Sequence, residues 1–424
     1  MQRLVWSDLA PQARVTALAR PAKRRDAAVA SVVRRIFEDV EREGESAVAR
    51  WAVELDGRAP EALALTARVI DRARAELDRE DIAAMETAIA NVRVFHEATR
   101  PQDSAIETKP GVRCARMWRP IASCGLYIPA GTAPLFSTLI MLAEPARAAG
   151  VPQRIVVTPP TPHPMMIAAA AACGLDTLWL VGGAQAIAAL TYGAGLSKAE
   201  KIFGPGNAYV AEAKRYAAAR PGGPLIDVPA GPSELMVIAD EAADPTLIAA
   251  DLLSQAEHDA DAQVILAATS TRTLDAVAAA LEAQLDTLPR AAIARAALGQ
   301  ARLILAHNAD EAIDIANLYA PEHLALHVEG AASLIARIEN AGAVFVGRWS
   351  AETFGDYVCG PSHVLPTDGA ARAWSGVSTA AFMKSFSVQT LNAEGARALA
   401  GPAARLARLE GLEAHARAAD LRAL

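Results

Sequence analysis

A chain of 424 residues is too long for one ordinary hydrophobic core, so two main domains with helical attachments are expected. With 52% hydrophobic and 21% charged residues it reads as globular and excludes a disordered chain. A net charge of −7, from 41 basic and 48 acidic side chains, argues against a nucleic-acid binder, which needs a basic surplus or stripe.

The opening segment, Met1 to Asp8, lacks the apolar core of a signal peptide. Four cysteines, Cys114, Cys124, Cys173 and Cys359, lie far apart with no C-x-x-C, which disfavours a cysteine-built structural zinc site and suits a reducing compartment. The cytoplasm is therefore the expected location. The first clear element is an amphipathic helix from Arg24 to Glu43, with Val29, Val32, Val33, Ile36 and Val40 at helical spacing and Gly44 ending it. A second helix carries Ile82, Met85, Ile89 and Val92 on one stripe.

From about residue 110 short apolar runs alternate with Ala-rich helical stretches. Ile155 to Val157, Thr177 to Val181, Lys201 to Phe203, Leu235 to Ala239 and Val264 to Ala268 read as strands. That alternation predicts an α/β fold with parallel sheets covered by helices. The apolar stretch Met165 to Leu190 is broken by Gly174, Asp176 and Gly182-Gly183, so it reads as helix, strand, turn and helix, with no membrane span. Several runs end in Gly or Pro, and ligands of open α/β sheets usually bind at such carboxyl ends. The tail from about Leu391 is polar, Ala-rich and helical, too thin in large apolar residues to fold alone.

Generic fingerprints are missing: there is no complete G-x-G-x-x-G, no Walker loop and no H-E-x-x-H. What remains is polar groups set in apolar surroundings. In Asp251 to His258, Gln255 and His258 share a face if the stretch is helical, and both can offer a lone pair to a metal; taken alone, the pair reads better as a solvated helix end, glutamine being an uncommon zinc ligand. In Ala320-Pro321-Glu322-His323-Leu324, adjacent carboxyl and imidazole groups suit two acid/base roles, or an exposed loop before a strand. Asp356, with Gly355 before it and Gly360 after, is a hard oxygen ligand or a turn residue. Glu410 and His415 stand in the thin tail, where no core demands a histidine.

These pieces and their order resemble the histidinol dehydrogenase family over nearly the whole chain. The matching segments are Cys124 to Thr138, Gly182 to Ala186, Phe203 to Lys214, Ile226 to Asp240, Asp251 to His258, Ala320 to Leu324, Gly355 to Thr367 and Glu410 to His415. The resemblance implies two Rossmann-like parallel-sheet domains with helical N- and C-terminal extensions in an intertwined homodimer. The implied division is an N-terminal tail (1–22), a catalytic α/β domain (23–126 plus 236–378), an NAD-binding, incomplete Rossmann domain (127–235) and a helical tail (379–424) completing the partner's site.

By the same resemblance, Gln255, His258, Asp356 and His415 stand where the family binds one zinc ion per subunit, and Glu322 and His323 stand at its acid/base pair. Ser233 and Glu410 contact substrate together with the zinc-binding side chains and His323, while Tyr127, Gln185 and Asn207 contact NAD+. His363 lines the substrate pocket. The implied reaction takes L-histidinol to L-histidine through an enzyme-held aldehyde, with two NAD+ and water. An NAD-dependent dehydrogenase of another polar alcohol, such as a sulfonated diol, is the alternative, followed by a non-catalytic metabolite-binding relative.

Overall fold

The computed structural model describes residues 1–21, 26–129, 134–227 and 231–423. In chain order the strands are β1 (Gln2–Val5), β2 (Glu61–Ala64), β3 (Ser104–Lys109), β4 (Val112–Pro120), β5 (Ser123–Tyr127), β6 (Gln153–Thr158), β7 (Thr177–Leu180) and β8 (Lys201–Phe203). They continue as β9 (Leu225–Ile226), β10 (Glu234–Ala239), β11 (Gln263–Ala268), β12 (Arg302–Leu305), β13 (His323–His327), β14 (Ala343–Val346) and β15 (Met383–Leu391). All five strands expected from the apolar runs are present, within a residue or two of their expected ends.

The first sheet has the order β1-β12-β11-β10-β13-β14 and is parallel throughout. Its central strands β10, β11 and β13 are buried along their whole length, as expected when helices cover both faces of a parallel sheet. Helices Pro245–Ala256 and Thr271–Leu285 supply one face, through Leu252 and Val277; helix Ala309–Tyr319 supplies the other, through Ile313 and Ala316.

The second sheet has the order β2-β7-β6-β5-β8-β9, with β2 antiparallel at its edge and the other five strands parallel. The chain steps outward from β5 to β6 and β7, then returns to place β8 on the far side of β5. Such a reversal opens a crevice at the carboxyl ends of the two neighbours. Ile82, Met85, Ile89 and Val92 line the inner side of helix Arg79–Ala98, as their spacing predicts.

The first amphipathic helix runs over Ala27–Glu43, capped by the Asp26 carboxylate, which accepts from the Ala28 and Val29 N–H groups. Its expected start at Arg24 falls outside the described residues, as do 130–133 and 228–230 within two of the matching segments. The packing draws the domain border differently from the sequence. Val33, Ile36 and Val40 bury against Ile187 and Val210 of the second sheet's helices, and β2 extends that sheet, so residues 27–64 do not join the 236–378 body. The first sheet instead recruits β1 from the N-terminal tail. An amphipathic stripe states that it needs an apolar partner, and nothing in it says which sheet will provide one.

The third sheet, antiparallel in the order β15-β4-β3, was not expected. The tail read as helical carries β15 after a short 3-10 turn, Thr379–Phe382; the strand pairs with β4 from Met383 opposite Pro120 to Leu391 opposite Val112. After Met383 every residue of β15 is exposed, so no buried face writes an apolar alternation into it. Helices Ala393–Leu409 and Glu413–Asp420 follow and leave Leu406, Leu409, Leu412 and Leu421 exposed.

Candidate active site

Helix Pro245–Ala256 links two parallel neighbours, β10 and β11, so it runs back against the strands and ends near their amino ends. Gln255 lies in its last turn. His258 sits in the following turn, its N–H donating to the Gln255 carbonyl at 3.2 Å. His323 opens β13 with Glu322 just before it, and Ser233 precedes β10, with Leu235 paired to His323. These groups therefore gather at the amino ends of the first sheet, the reverse of the carboxyl-end rule. The second sheet obeys that rule: Tyr127 ends β5 and Asn207 follows β8.

A cavity of about 190 Å³ is lined by Gln255, His258, Glu322, His323, Asp356 and His363, and it also touches Ser233. Asp356 comes from the short helix Glu352–Tyr357, whose first residue, Glu352, lines the same cavity. His323 Nδ1 is 3.0 Å from the Glu234 carbonyl oxygen. A carbonyl can only accept, so Nδ1 carries a proton and Nε2 is the nitrogen left to exchange one; it lies 3.6 Å from Asp356 without a hydrogen-bond partner. Glu322 Oε2 accepts from the Glu234 N–H at 2.8 Å. Close approach fixes this corner: a Cβ on Gly342 would sit 2.5 Å from the Glu322 carbonyl oxygen, so glycine is needed there.

Burial pushes the Glu322 carboxyl up to about 7, while His323 and the Glu234 N–H hold it back. Burial works to lower His323, but the Glu322, Glu352 and Asp356 carboxylates override it and raise the imidazole. Burial also raises Glu352. Asp356 stays below the usual carboxylate range despite burial, because His323, His363 and His258 surround it. Burial lowers His258, which favours a neutral, ligand-competent imidazole. His363 is likewise lowered by burial; both its ring nitrogens are engaged, Nδ1 with the Asp356 carbonyl at 2.9 Å and Nε2 with the Thr138 hydroxyl at 3.1 Å.

Both polar atoms of the Gln255 amide, His323 Nε2 and Glu352 Oε1 are buried without a partner. Orphaned polar atoms of this kind are costly unless something fills the space between them. Ligand atoms of His323, Glu352 and Asp356 lie within 4.8 Å of one another. Nitrogen and oxygen donors around an anionic pocket fit a zinc ion. Of the four zinc positions drawn from the sequence, Gln255, His258 and Asp356 meet in this cavity. The fourth, His415, is exposed on helix Glu413–Asp420, and Glu410 is exposed just before it; neither lines the cavity of its own chain among the described residues.

A second cavity, of about 840 Å³, is lined by Tyr127, Gln185 and Asn207 and meets the first at Leu135, Pro205 and His258. The Tyr127 hydroxyl accepts from the Gly183 N–H at 3.2 Å. Burial pushes this phenol up to about 12, which keeps it neutral and able to donate. Gln185 donates to Asp56 at 3.0 Å and keeps a buried, unpartnered Oε1. Asn207 caps helix Ala208–Ala218. The turn before it is tight, because a side chain on Gly204, at φ 116°, would collide with the Tyr127 carbonyl. Such dimensions and polar groups fit NAD+.

Sequence reasoning missed Glu352, Asp56 and the Lys214–Asp227 ion pair, which is buried at the wall of the first cavity. Glu352 leaves one trace, its four-residue spacing from Asp356, which stacks both carboxylates on one side of a helix.

A profile of the histidinol dehydrogenase family matches residues 19–423. Histidinol dehydrogenase of Vibrio parahaemolyticus is 43% identical over 423 residues, covering 100% of this chain and 98% of that protein. The enzyme of that name from Xanthomonas oryzae pv. oryzae is 46% identical over 427 residues, covering 100% and 99%. The crystal structure of histidinol dehydrogenase from Elizabethkingia anophelis superposes with a TM-score of 0.95 at 39% identity, covering 100% of this chain and 98% of that one. Fold, site and full-length likeness agree that this chain belongs to the histidinol dehydrogenase family.

Proposed function

We propose that this protein oxidises L-histidinol to L-histidine through an enzyme-held histidinal, reducing two NAD+ with zinc as cofactor, as the last step of histidine biosynthesis. One observation carries the reading. A buried carboxyl near neutrality and an imidazole whose Nε2 has no hydrogen-bond partner open onto one cavity, and that cavity joins a dinucleotide-sized one at His258.

Gln255, His258 and Asp356 hold the zinc, and Tyr127, Gln185 and Asn207 hold the NAD+. Bound zinc supplies positive charge that orients the substrate's amine and imidazole and offsets the carboxylates' hold on the His323 proton. His323 Nε2 takes the hydroxyl proton as hydride leaves the carbinol carbon. Glu322 keeps one oxygen on the Glu234 N–H and aims the other at a water, which it deprotonates for attack on histidinal. His323 acts again as the hydrate is oxidised. Ser233 and His363 wall the substrate space, and enclosure retains the aldehyde.

Glu410 and His415 stand on a tail with an exposed leucine row and away from their own chain's cavity. This supports a homodimer in which the tail, 379–424, crosses to complete the partner's site with a zinc ligand and an acidic substrate contact. A net charge of −7 supports no nucleic-acid partner. Among the described residues no helix is long and apolar enough to cross a membrane, which fits the cytoplasm. In zinc-loaded protein, added histidinol should yield about two NADH per molecule oxidised, read by absorbance; no NADH from folded, zinc-loaded protein would refute the assignment.

No cysteine takes part in the second oxidation. Cys124 is fully buried in β5 with its thiol pushed up to about 12 by burial, and Cys359 is exposed and lines a neighbouring cavity that shares His323 and Asp356 but lacks Glu322. Cys124→Ser and Cys359→Ser, made singly, should each keep more than about half of the turnover, since neither removes a reacting group. Selective loss of histidinal oxidation in either variant would point to a thiohemiacetal route instead.

A further inference from the structure

Glu234 has no exposure at the start of a central strand, where a carboxylate is tolerated only with partners. Arg20 grips it as a fork, Nε to Oε1 at 2.5 Å and Nη2 to Oε2 at 2.7 Å. The same Nη2 donates to the Tyr319 carbonyl at 3.0 Å and the Ala320 carbonyl at 3.2 Å. The guanidinium lies 3.9 Å from the Tyr319 ring centroid. Glu234 Oε1 also accepts the Asp368 N–H at 3.0 Å.

Among the described residues, three non-glycines adopt left-handed backbone: Thr161, Ala320 at φ 55° and Asp368 at φ 57°. Two of the three, Ala320 and Asp368, are hydrogen-bonded to this pair. Such conformations persist only where the surroundings enforce them. Ala320 leads directly into Pro321-Glu322-His323. The peptide of Glu234 then holds both functional side chains, its N–H on Glu322 Oε2 and its carbonyl on His323 Nδ1.

We infer that Arg20 is a positioning residue for catalysis: through the Glu234 side chain and the 319–320 carbonyls it fixes the Glu322 carboxylate and the tautomer and aim of His323. Arg20 does not line the cavity that holds them. It therefore acts through Glu234 and touches no reacting atom. The inference rests on Glu322 and His323 being the acid/base pair.

The test uses full-length, zinc-loaded Arg20→Met and Arg20→Lys, with both half-reactions followed separately. Loss of aim lowers kcat about 100-fold in Arg20→Met and about 10-fold in Arg20→Lys, which keeps charge without the fork. KM for NAD+ and zinc bound per chain stay within about twofold, and added guanidinium raises the Arg20→Met rate several-fold. A purely structural role would lower the melting temperature and the yield of zinc-loaded sites while leaving kcat per loaded site unchanged, with no guanidinium rescue; that result overturns the inference. If Arg20→Met does not fold, Arg20→Lys decides on kcat per loaded site. Glu322→Gln is the parallel control. Wild-type rates in that variant would mean the acid/base reading is wrong, whereas a lost second step there with wild-type kcat in the Arg20 variants removes only the positioning role.

Discussion

Glu322→Gln is expected to slow histidinal oxidation by about 10³-fold while slowing histidinol oxidation by less than about 10-fold. Glutamine keeps the side chain's size and an oxygen for the Glu234 N–H, so the corner of β10 and β13 stays packed. It removes only the ability to accept a proton. In the proposed mechanism the alcohol step needs one base, His323. The aldehyde step also needs a water deprotonated, and Glu322 is the carboxyl that burial pushes up to about 7 beside it. Its working form is the ionised one, so histidinal oxidation in the wild type should rise with pH through about 7, and this limb should vanish in the variant. Separate stopped-flow measurements starting from histidinol and from histidinal check both statements. Equal damage to the two steps would contradict the division of labour.

His258→Asn is expected to weaken zinc binding by about 100-fold and to lower activity in parallel. Roughly 10–16 kcal/mol of zinc binding shared among about four ligands is roughly 3 kcal/mol per ligand, or about two powers of ten in affinity. Burial lowers this imidazole below its ordinary value, which favours the neutral form that binds metal. Asparagine retains a polar tip but offers a poorer, shorter donor. A competition titration against a chelator gives the affinity, and added zinc should restore part of the turnover. Wild-type zinc affinity in the variant would remove His258 from the ligand set. The loss should also reach the cofactor side, because His258 lines both cavities where they meet.

The sheets were legible because burial writes itself into sequence. Leu235 to Ala239 and Val264 to Ala268 are continuous apolar runs, as parallel strands covered on both faces must be. The sheet β15-β4-β3 was not, since Lys384 to Leu391 has no buried face to pattern. At the site, Gln255 and His258 could be paired because three residues along a helix end is a local spacing. The contact of Glu352 with His323, at 3.4 Å, spans the start of one helix and the start of a distant strand, and no local rule announces it. Arg20 is further still, 214 residues from the glutamate it holds. The placement of the proposed acid/base pair at amino ends of strands ran against the general rule for open sheets. It follows from how the two sheets meet, the amino ends of one beside the carboxyl ends of the other.

The proposed mechanism turns on one zinc ion shared by the Gln255–His258 turn, Asp356 and a tail histidine. An anomalous difference map at the zinc edge, from crystals of the zinc- and histidinol-bound protein, tests it most directly. One peak per chain is expected, about 2.0–2.2 Å from ligand atoms of Gln255, His258 and Asp356, with His415 from a second copy completing the set. A peak centred on His323, Glu352 and Asp356, with Gln255 and His258 left out, would contradict it.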